Sequence, residues 1–501
     1  MRSLLALAAC SLLAVLPACT EKIVTVQGAP APTPTAGSAE SAKETEAPET
    51  VPPVEKETAV SDPLIDLGDV STGTDVTFTI PEGALGFQIT AEGSLADLDP
   101  SAPFGIERIT APDGKIVHDE FMPKGGSHAT SFAAFDAIAS ASVPQGEGVV
   151  ANLAGKWKVR FGVMNDRSTK LQLRGRVRVQ SSGDGAFHGG TLDLHVHVPR
   201  GLEIGDHVVD ATSAAKDGDI ADRLDTFFAL TSQLLGIEKG DVVFHAESES
   251  LRELDGYADI AKGFAVSRGE KDGTQAFHVL LTNVIALNGE PVAAGISPGI
   301  PGAAKVFGRN VSGIIIAMSW DAEGDAVTML HETGHFFGLN HTTEIEGGYA
   351  DPLDDTPACA DISYDPEALY ACPDRANIMF PLSALEGEPE LSPTQKRIYR
   401  GSSIYKALPA GAAKTSSFRA RVVPRRTQPP FRISGGKVLS PVEHELALGF
   451  CGLDLPDASR IVSRHGRPQA VAQLRAAAAD ADLAPYIRGR ATLALQALGE
   501  K

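Results

Sequence analysis

Three histidines and a glycine within eleven residues constrain this chain more than any other feature it has. In His331-Glu332-Thr333-Gly334-His335-Phe336-Phe337-Gly338-Leu339-Asn340-His341, the first two imidazoles are four residues apart. On a helix both project from one face, one turn apart, and can hold a single metal ion through ring nitrogens. Glu332 follows the first of them, where its carboxylate reaches a metal-bound water without joining the ligands. Gly338 lets the chain leave the helix sharply, with positive φ. That turn brings His341 round as a third ligand. Three histidines leave a fourth position open to water, the arrangement of a catalytic zinc site. A helix that merely carries surface histidines is the bland alternative. Five fixed positions, three of them a rare residue, weigh against it.

Matched at every defining position, this segment resembles the metzincin zinc peptidases. Members of that family carry a methionine turn beneath the metal. The stretch Ala376-Asn377-Ile378-Met379-Phe380 supplies a candidate, with Met379 falling 38 residues after His341 as an apolar floor. Asp351-Pro352-Leu353-Asp354-Asp355-Thr356-Pro357-Ala358-Cys359 and then Cys372 precede that turn, which looks like the pappalysin branch. The resemblance spans about Leu192 to Tyr405 in architecture and is specific from about His331 to Met379. One departure stands out: many relatives have a tyrosine two residues after the methionine, and this chain has Pro381. The resemblance implies peptide-bond hydrolysis. One zinc ion polarises the scissile carbonyl and lowers the pKa of its water to about 7, while Glu332 acts as general base and passes the proton to the leaving amine. It also implies that the acidic run Glu344, Glu346, Asp351, Asp354 and Asp355 could bind Ca2+. A solvated acidic loop explains those residues equally well, and both readings stand open. In an oxidising compartment Cys359 and Cys372 are natural disulfide partners, and Cys451 is left as a buried thiol.

Export is expected from the other end of the chain. Arg2 and the apolar run Leu4 to Leu16 read as a signal peptide, too short to span a bilayer as a mature helix. The run ends at Leu16-Pro17-Ala18-Cys19, which resembles the lipobox of bacterial lipoproteins, so Cys19 is expected to be lipidated. Thr20 favours the outer membrane by the same resemblance, facing the periplasm or the cell surface. The formal net charge of −20 argues against nucleic acid as a partner. The expected partners are a protein or peptide substrate and, through the lipid, the membrane.

The fold class expected is a multidomain α+β chain. Residues 1–18 are the signal peptide and 19–61 a disordered Pro/Ala/Glu-rich tether. Residues 62–187 form an N-terminal β-sandwich, because short runs such as Val76 to Ile80 and Leu171 to Val179 alternate with period two between Gly and Pro. Residues 188–408 form a metzincin-type α/β domain with a mixed sheet and the zinc helix. Its strands are read at Leu192 to Val198, Asp241 to His245, Phe277 to Leu287 and Gly313 to Met318, with a helix over Ile220 to Leu235 ended by Gly236. Residues 409–501 are a linker and a small helical region, with two Ala-rich helices over 467–499. His195 and His197 share one strand face and could bind metal. They read more simply as strand residues near the sheet edge. A non-enzymatic, zinc-stabilised surface or adhesion lipoprotein is the second functional reading, against which the carboxylate of Glu332 speaks.

Overall fold

Alternating strands and glycine turns dominate the first half of the structure, a computed structural model. It describes most of residues 64–412 and parts of 432–500. Residues 1–63, 94–103, 120–137, 344–350, 360–371, 413–431 and 439–461, with some shorter stretches, lie outside the described residues. The expected signal peptide, the tether, the lipidation site Cys19, the acidic residues Glu344 and Glu346, and Cys451 are among those not described.

Eight strands come first: β1 (Leu64–Ser71), β2 (Asp75–Ile80), β3 (Ala84–Glu92), β4 (Phe104–Thr110), β5 (Ile116–Asp119), β6 (Ile138–Val143), β7 (Gly155–Val163) and β8 (Gln172–Ser181). They make two four-stranded sheets, ordered β1-β8-β3-β6 and β2-β7-β4-β5, with every pairing antiparallel. One apolar core lies between the sheets. Phe87 of one meets Trp157 of the other edge-on at 4.8 Å, and the indole N–H of Trp157 donates to Leu153 O at 2.6 Å. Burying the ring therefore leaves no donor orphaned.

The chain then builds β9 (Gly190–Pro199), a small hairpin of β10 (Leu202–Ile204) and β11 (His207–Val209), a short α1 (Ala211–Ala214), and α2 (Gly218–Leu235). Asp217 caps α2 by accepting from the amides of Asp219 and Ile220, and Gly236 ends it at φ 72°, a left-handed conformation that glycine adopts without steric cost. There follow β12 (Ile237–Glu247), β13 (Glu253–Asp255), α3 (Tyr257–Phe264), β14 (Phe277–Thr282), β15 (Val284–Leu287), β16 (Glu290–Ala293), β17 (Gly295–Ile296), β18 (Ile314–Ala317), α4 (Ala322–Phe337), α5 (Pro393–Arg400) and β19 (Lys406–Ala407). The largest sheet has the order β12-β9-β14-β18-β17, with β19 also pairing β9. Strands β12, β9, β14 and β18 run parallel, and the edge strand β17 runs antiparallel. A further helix, α6 (Arg467–Ala479), lies in the Ala-rich tail. The molecule is thus a mixed α/β structure with several sheets and few helices.

One expectation is corrected. Phe277 to Leu287 is not one strand. At Asn283 the chain leaves the large sheet, the Asn283 amide holds the Glu203 backbone on both sides, and β15 joins the separate sheet β13-β15-β16. His195 and His197 lie near the sheet edge, on β9 next to the edge strand β12, and His197 is nonetheless 2% exposed.

What holds α4 in place begins at its N-terminus. Asp321 caps it, and Asp325, one turn in, is fully buried against Arg223 of α2. The Arg223 Nε donates to Asp325 at 2.7 Å, and its other nitrogens donate to the Asp219 and Ser319 carbonyls. At the other end, residues from the sheet β1-β8-β3-β6 grip the segment that backs onto α4. The Gln88 amide donates to Gly302 O and accepts from Ala304 N, both at 2.7 Å, and Ser140 Oγ donates to Pro301 O at 2.7 Å. Gly302 in turn donates to Phe336 O at 3.0 Å, and a Cβ on Gly302 would meet the Phe336 ring at 2.2 Å. Replacing Gln88 with Leu fills the same volume and leaves a buried carbonyl and a buried amide unpaired. The expected cost is about 2–4 kcal/mol, read as a lower midpoint in urea unfolding with an unchanged slope.

Candidate metal centre

Helix α4 carries His331, Glu332 and His335, and all three are buried. Gly338 ends it at φ 113°, its amide donating to the carbonyls of Gly334 and His335, while the Leu339 amide reaches back to Gly334 O at 2.9 Å. This is a Schellman-type ending that only glycine makes without strain. It reverses the chain so that His341 comes back over the helix. The three Nε2 atoms then converge: His331 to His335 at 3.0 Å, His335 to His341 at 3.1 Å and His331 to His341 at 3.2 Å. The sequence expectation that these three residues meet is what the geometry shows.

The opposite ring nitrogens explain why they meet in this sense. His331 Nδ1 donates to Ile378 O at 2.6 Å, and His335 Nδ1 donates to Leu339 O at 2.7 Å. With the proton held at Nδ1, a neutral ring presents its Nε2 lone pair to the centre. Burial and the two neighbouring rings hold His331 well below the ordinary histidine pKa, so the ring is neutral. Lone pairs this close repel one another unless a cation lies between them. Zinc–nitrogen bonds of about 2.0–2.1 Å in a tetrahedron put ligand nitrogens about 3.3 Å apart, so the three residues fit a zinc ion to within a few tenths of an ångström.

Beneath the rings lies the turn around Met379. Asn377 Oδ1 accepts from the Met379 amide, Ile378 N donates to Glu390 O, and Met379 O accepts from Thr342 N at 3.1 Å. Met379 is fully buried, and a Cβ on Gly334 would meet its sulfur at 2.3 Å. Helix and turn therefore touch where α4 has no side chain. Tyr399 of α5 closes the same contact, its hydroxyl donating to Leu330 O at 2.6 Å. Burial, with Glu332 nearby, raises the Tyr399 hydroxyl well above the usual tyrosine pKa and keeps it a donor.

Glu332 packs against the edge strand. A Cβ on Gly295 of β17 would stand 2.5 Å from Glu332 Cγ and 3.0 Å from its Oε1. Gly295, Tyr399 and Gln88 all bear on the site, and none is marked by local spacing in the sequence. A glycine opening the strand before Ile314 to Ala317 was the one available signal, and it is a weak one.

The neighbouring loop is pinned twice. Cys359 and Cys372 form a disulfide, with Cα atoms 5.6 Å apart, and the Asp355 carboxylate accepts from Ser392 Oγ and Thr394 N at the start of α5. Asp355 is thus occupied as a helix cap, and Asp354 is exposed beside it. Asp351 accepts from the Leu353 amide at 3.2 Å and from Thr356 Oγ1, while its Oδ2 is buried without a partner. Burial pushes the Asp351 pKa up to about 7.

No known family's sequence profile matches this chain, and no curated protein does. Among solved structures, an archaemetzincin from Methanopyrus kandleri is similar at 15% identity, over 42% of this chain and 88% of that one, with a TM-score of 0.22. Metalloproteinase-II from Bacteroides fragilis is similar at 13% identity, over 34% of this chain and 53% of that one, also with a TM-score of 0.22. The catalytic unit of an α-1,3-glucanase from Streptomyces thermodiastaticus follows at 10% identity, over 47% of this chain and 38% of that one, with a TM-score of 0.15. Scores this low do not establish a shared fold. What the site does has to follow from its own geometry.

Two outcomes test that geometry. Gly295→Ala is expected to displace the Glu332 side chain while leaving the three histidines in place. A hydrolytic rate more than tenfold lower at unchanged zinc content, measured by metal analysis, is the expected result. Asp351 gives a pH signature. Its folded pKa of about 7 lies above the unfolded carboxylate value near 4, so the folded state binds more protons between them. Stability contributed by this group is present below about pH 4 and is lost as pH rises through about 7. Asp351→Asn should flatten that loss, with a smaller difference in thermal midpoint between pH 5 and pH 8 than in the unaltered protein. Addition of Ca2+ at pH 8 separates the calcium reading, which expects the unaltered protein to be stabilised and the Asn variant not.

Proposed function

We propose that this chain is a zinc-dependent endopeptidase of the metzincin kind, nearest the pappalysin branch, acting on proteins or peptides outside the cytoplasm. The observation that carries the reading is the buried convergence of three imidazole Nε2 atoms beside a carboxylate on the helix that supplies two of them. A site built only to brace the fold has no use for Glu332 next to a three-histidine centre. When bound, zinc supplies Lewis-acid polarisation of a carbonyl and lowers the pKa of water to about 7. His331, His335 and His341 hold it, and the carbonyls of Ile378 and Leu339 fix the first two rings as donors of Nδ1–H. Glu332 takes the proton of the attacking water on its carboxylate and returns it to the leaving amine. Met379 and the Gly334 backbone keep the floor under the rings apolar and rigid. Pro381 cannot supply the hydroxyl that the resembling family places there, so another donor stabilises the oxyanion.

In this reading Cys19 is the lipidated N-terminus of an outer-membrane lipoprotein, and the 19–61 segment holds the enzyme off the bilayer. Fatty-acid labelling that survives in a Cys19→Ser variant would remove that part.

Glu332→Gln keeps size and hydrogen bonding and removes the proton acceptor. Zinc content is expected to stay near one per centre while peptide hydrolysis falls by about 100- to 10,000-fold, the usual contribution of a positioned general base. His335→Ala should lose both. Glu332→Gln cleaving at the unaltered rate overturns the catalytic assignment. An unaltered protein that binds zinc and cleaves nothing in a broad peptide library leaves the non-enzymatic surface lipoprotein as the better reading.

A further inference from the structure

The large sheet carries a second gathering of imidazoles on the face turned away from α4. On β9, Leu192, Leu194, Val196 and Val198 enter the core that α2 and α4 cover, so His195 and His197 point to the other face. On β14, Phe277 and Val279 enter the same core and His278 lies between them. His245 of β12 stands beside His197 in the parallel register, and His278 stands beside His195. The four rings close a square. His195 lies 4.8 Å from His245 and 4.9 Å from His278, and His197 lies 4.6 Å from His245 and 5.2 Å from His278, centroid to centroid. Facing nitrogens meet in two pairs, His197 Nε2 with His278 Nδ1 at 2.9 Å and His245 Nε2 with His195 Nδ1 at 3.1 Å. Glu247 Oε1 sits 2.8 Å from His197 Nδ1 and, as a carboxylate, accepts its proton.

We propose that the array of His195, His197, His245 and His278, oriented by Glu247, is a second metal-binding site, for a divalent transition-metal ion that favours imidazole. Neutral imidazole is the form that binds zinc, copper and nickel. Metal–nitrogen bonds of about 2.0 Å at right angles put adjacent nitrogens about 2.8 Å apart, and tetrahedral ones about 3.3 Å apart. Both observed pairs fall inside that span. The nitrogens converge pairwise rather than into a four-atom cage, so the ion takes one pair and water completes its shell. At the His197–His278 pair the Glu247 carboxylate keeps the His197 proton on Nδ1. His278 is then the donor, and on binding its proton passes to its own Nε2 with no net change in charge on the ring. A carboxylate behind a ligating histidine is also how metal sites commonly fix the tautomer. His195 and His245 are partly exposed, which gives an ion a way in.

The test is metal stoichiometry in the untagged full chain, dialysed after loading with Zn2+ or Cu2+. Two ions per chain are expected for the unaltered protein, and one for His335→Ala. The double variant His197→Gln, His278→Gln should also hold one ion and still hydrolyse peptides at the unaltered rate. One ion in the unaltered protein, or two in the double variant, overturns the proposal. Should the double variant not fold, Cu2+ bound to a variant with His331, His335 and His341 all replaced by Ala decides by electron paramagnetic resonance. Nitrogen hyperfine splitting from at least two imidazoles is expected, and a spectrum with oxygen ligands alone overturns the site. Peptide hydrolysis with a single ion removes the second site and leaves the peptidase reading standing. Two ions with no hydrolysis does the reverse.

Discussion

Three imidazole nitrogens held 3.0–3.2 Å apart in a buried place are an electrostatic problem that the surrounding structure is arranged to sustain. Uncharged rings offer lone pairs to one another, and protonated rings would repel even more strongly at low dielectric. A cation resolves this, and the chain fixes the rings so that little else can. The Ile378 and Leu339 carbonyls hold two of the three protons on the far nitrogens. Gly338 makes the reversal that returns His341, and Gly334 leaves the space through which Met379 reaches the underside of the helix. None of these devices works unless α4 is itself anchored. The buried Arg223–Asp325 pair fixes its first turn, and the Gln88 fork fixes the segment that bonds its last. Buried ion pairs contribute little net stability because desolvation offsets the attraction, but they tolerate few alternative geometries. That suits a helix whose rotation by one residue would point the ligands away.

The parts of the site that were legible in the sequence are those set by local geometry. Two histidines four apart share a helix face whatever the rest of the chain does. A glycine three residues beyond ends the helix, so a third histidine was placed with them from spacing alone. Met379 needed the family resemblance, because an isolated methionine in an apolar run carries no local mark. Gly295, Tyr399 and Gln88 were not legible. Gln88 lies 214 residues from the carbonyl it holds, and no periodicity connects them. The square of histidines shows the same limit. His195 and His197 could be put on one strand face by their spacing of two, and their strand does lie next to the edge strand. His245 and His278 join them only through the strand order β12-β9-β14, which parallel pairing sets and sequence spacing does not. The single strand expected over Phe277 to Leu287 failed for a related reason. Its residues are mostly apolar on both sides of Asn283, and the bend there is imposed by a backbone partner in another segment.

The sheet β1-β8-β3-β6 does more than sit beside the large one in sequence. Gln88 and Ser140 bond the backbone at Pro301, Gly302 and Ala304, and Gln180 donates to Tyr405 O at 2.8 Å. Each of these polar side chains is buried, and each makes a bond across the contact. A buried polar group left without a partner costs about 1–3 kcal/mol, so these contacts favour one docking of the two parts. The three-histidine centre is thereby tied to strands far upstream of its motif, and those strands belong to its structural requirement even though none supplies a ligand.

The two imidazole clusters also differ in what they need. In the triad the tautomers of His331 and His335 are set by backbone carbonyls, so those rings cannot satisfy each other by N–H···N bonding, and an ion completes them. In the square the rings satisfy one another: His278 can donate to His197, and one of His195 and His245 to the other. That array satisfies itself without metal and must give up one of these hydrogen bonds to bind an ion. Preorganisation raises affinity by lowering what has to be given up on binding. An ion added to metal-free protein therefore fills the triad before the square. The affinity gap between them reflects which nitrogen carries the proton in each ring, since the ligand type is the same in both.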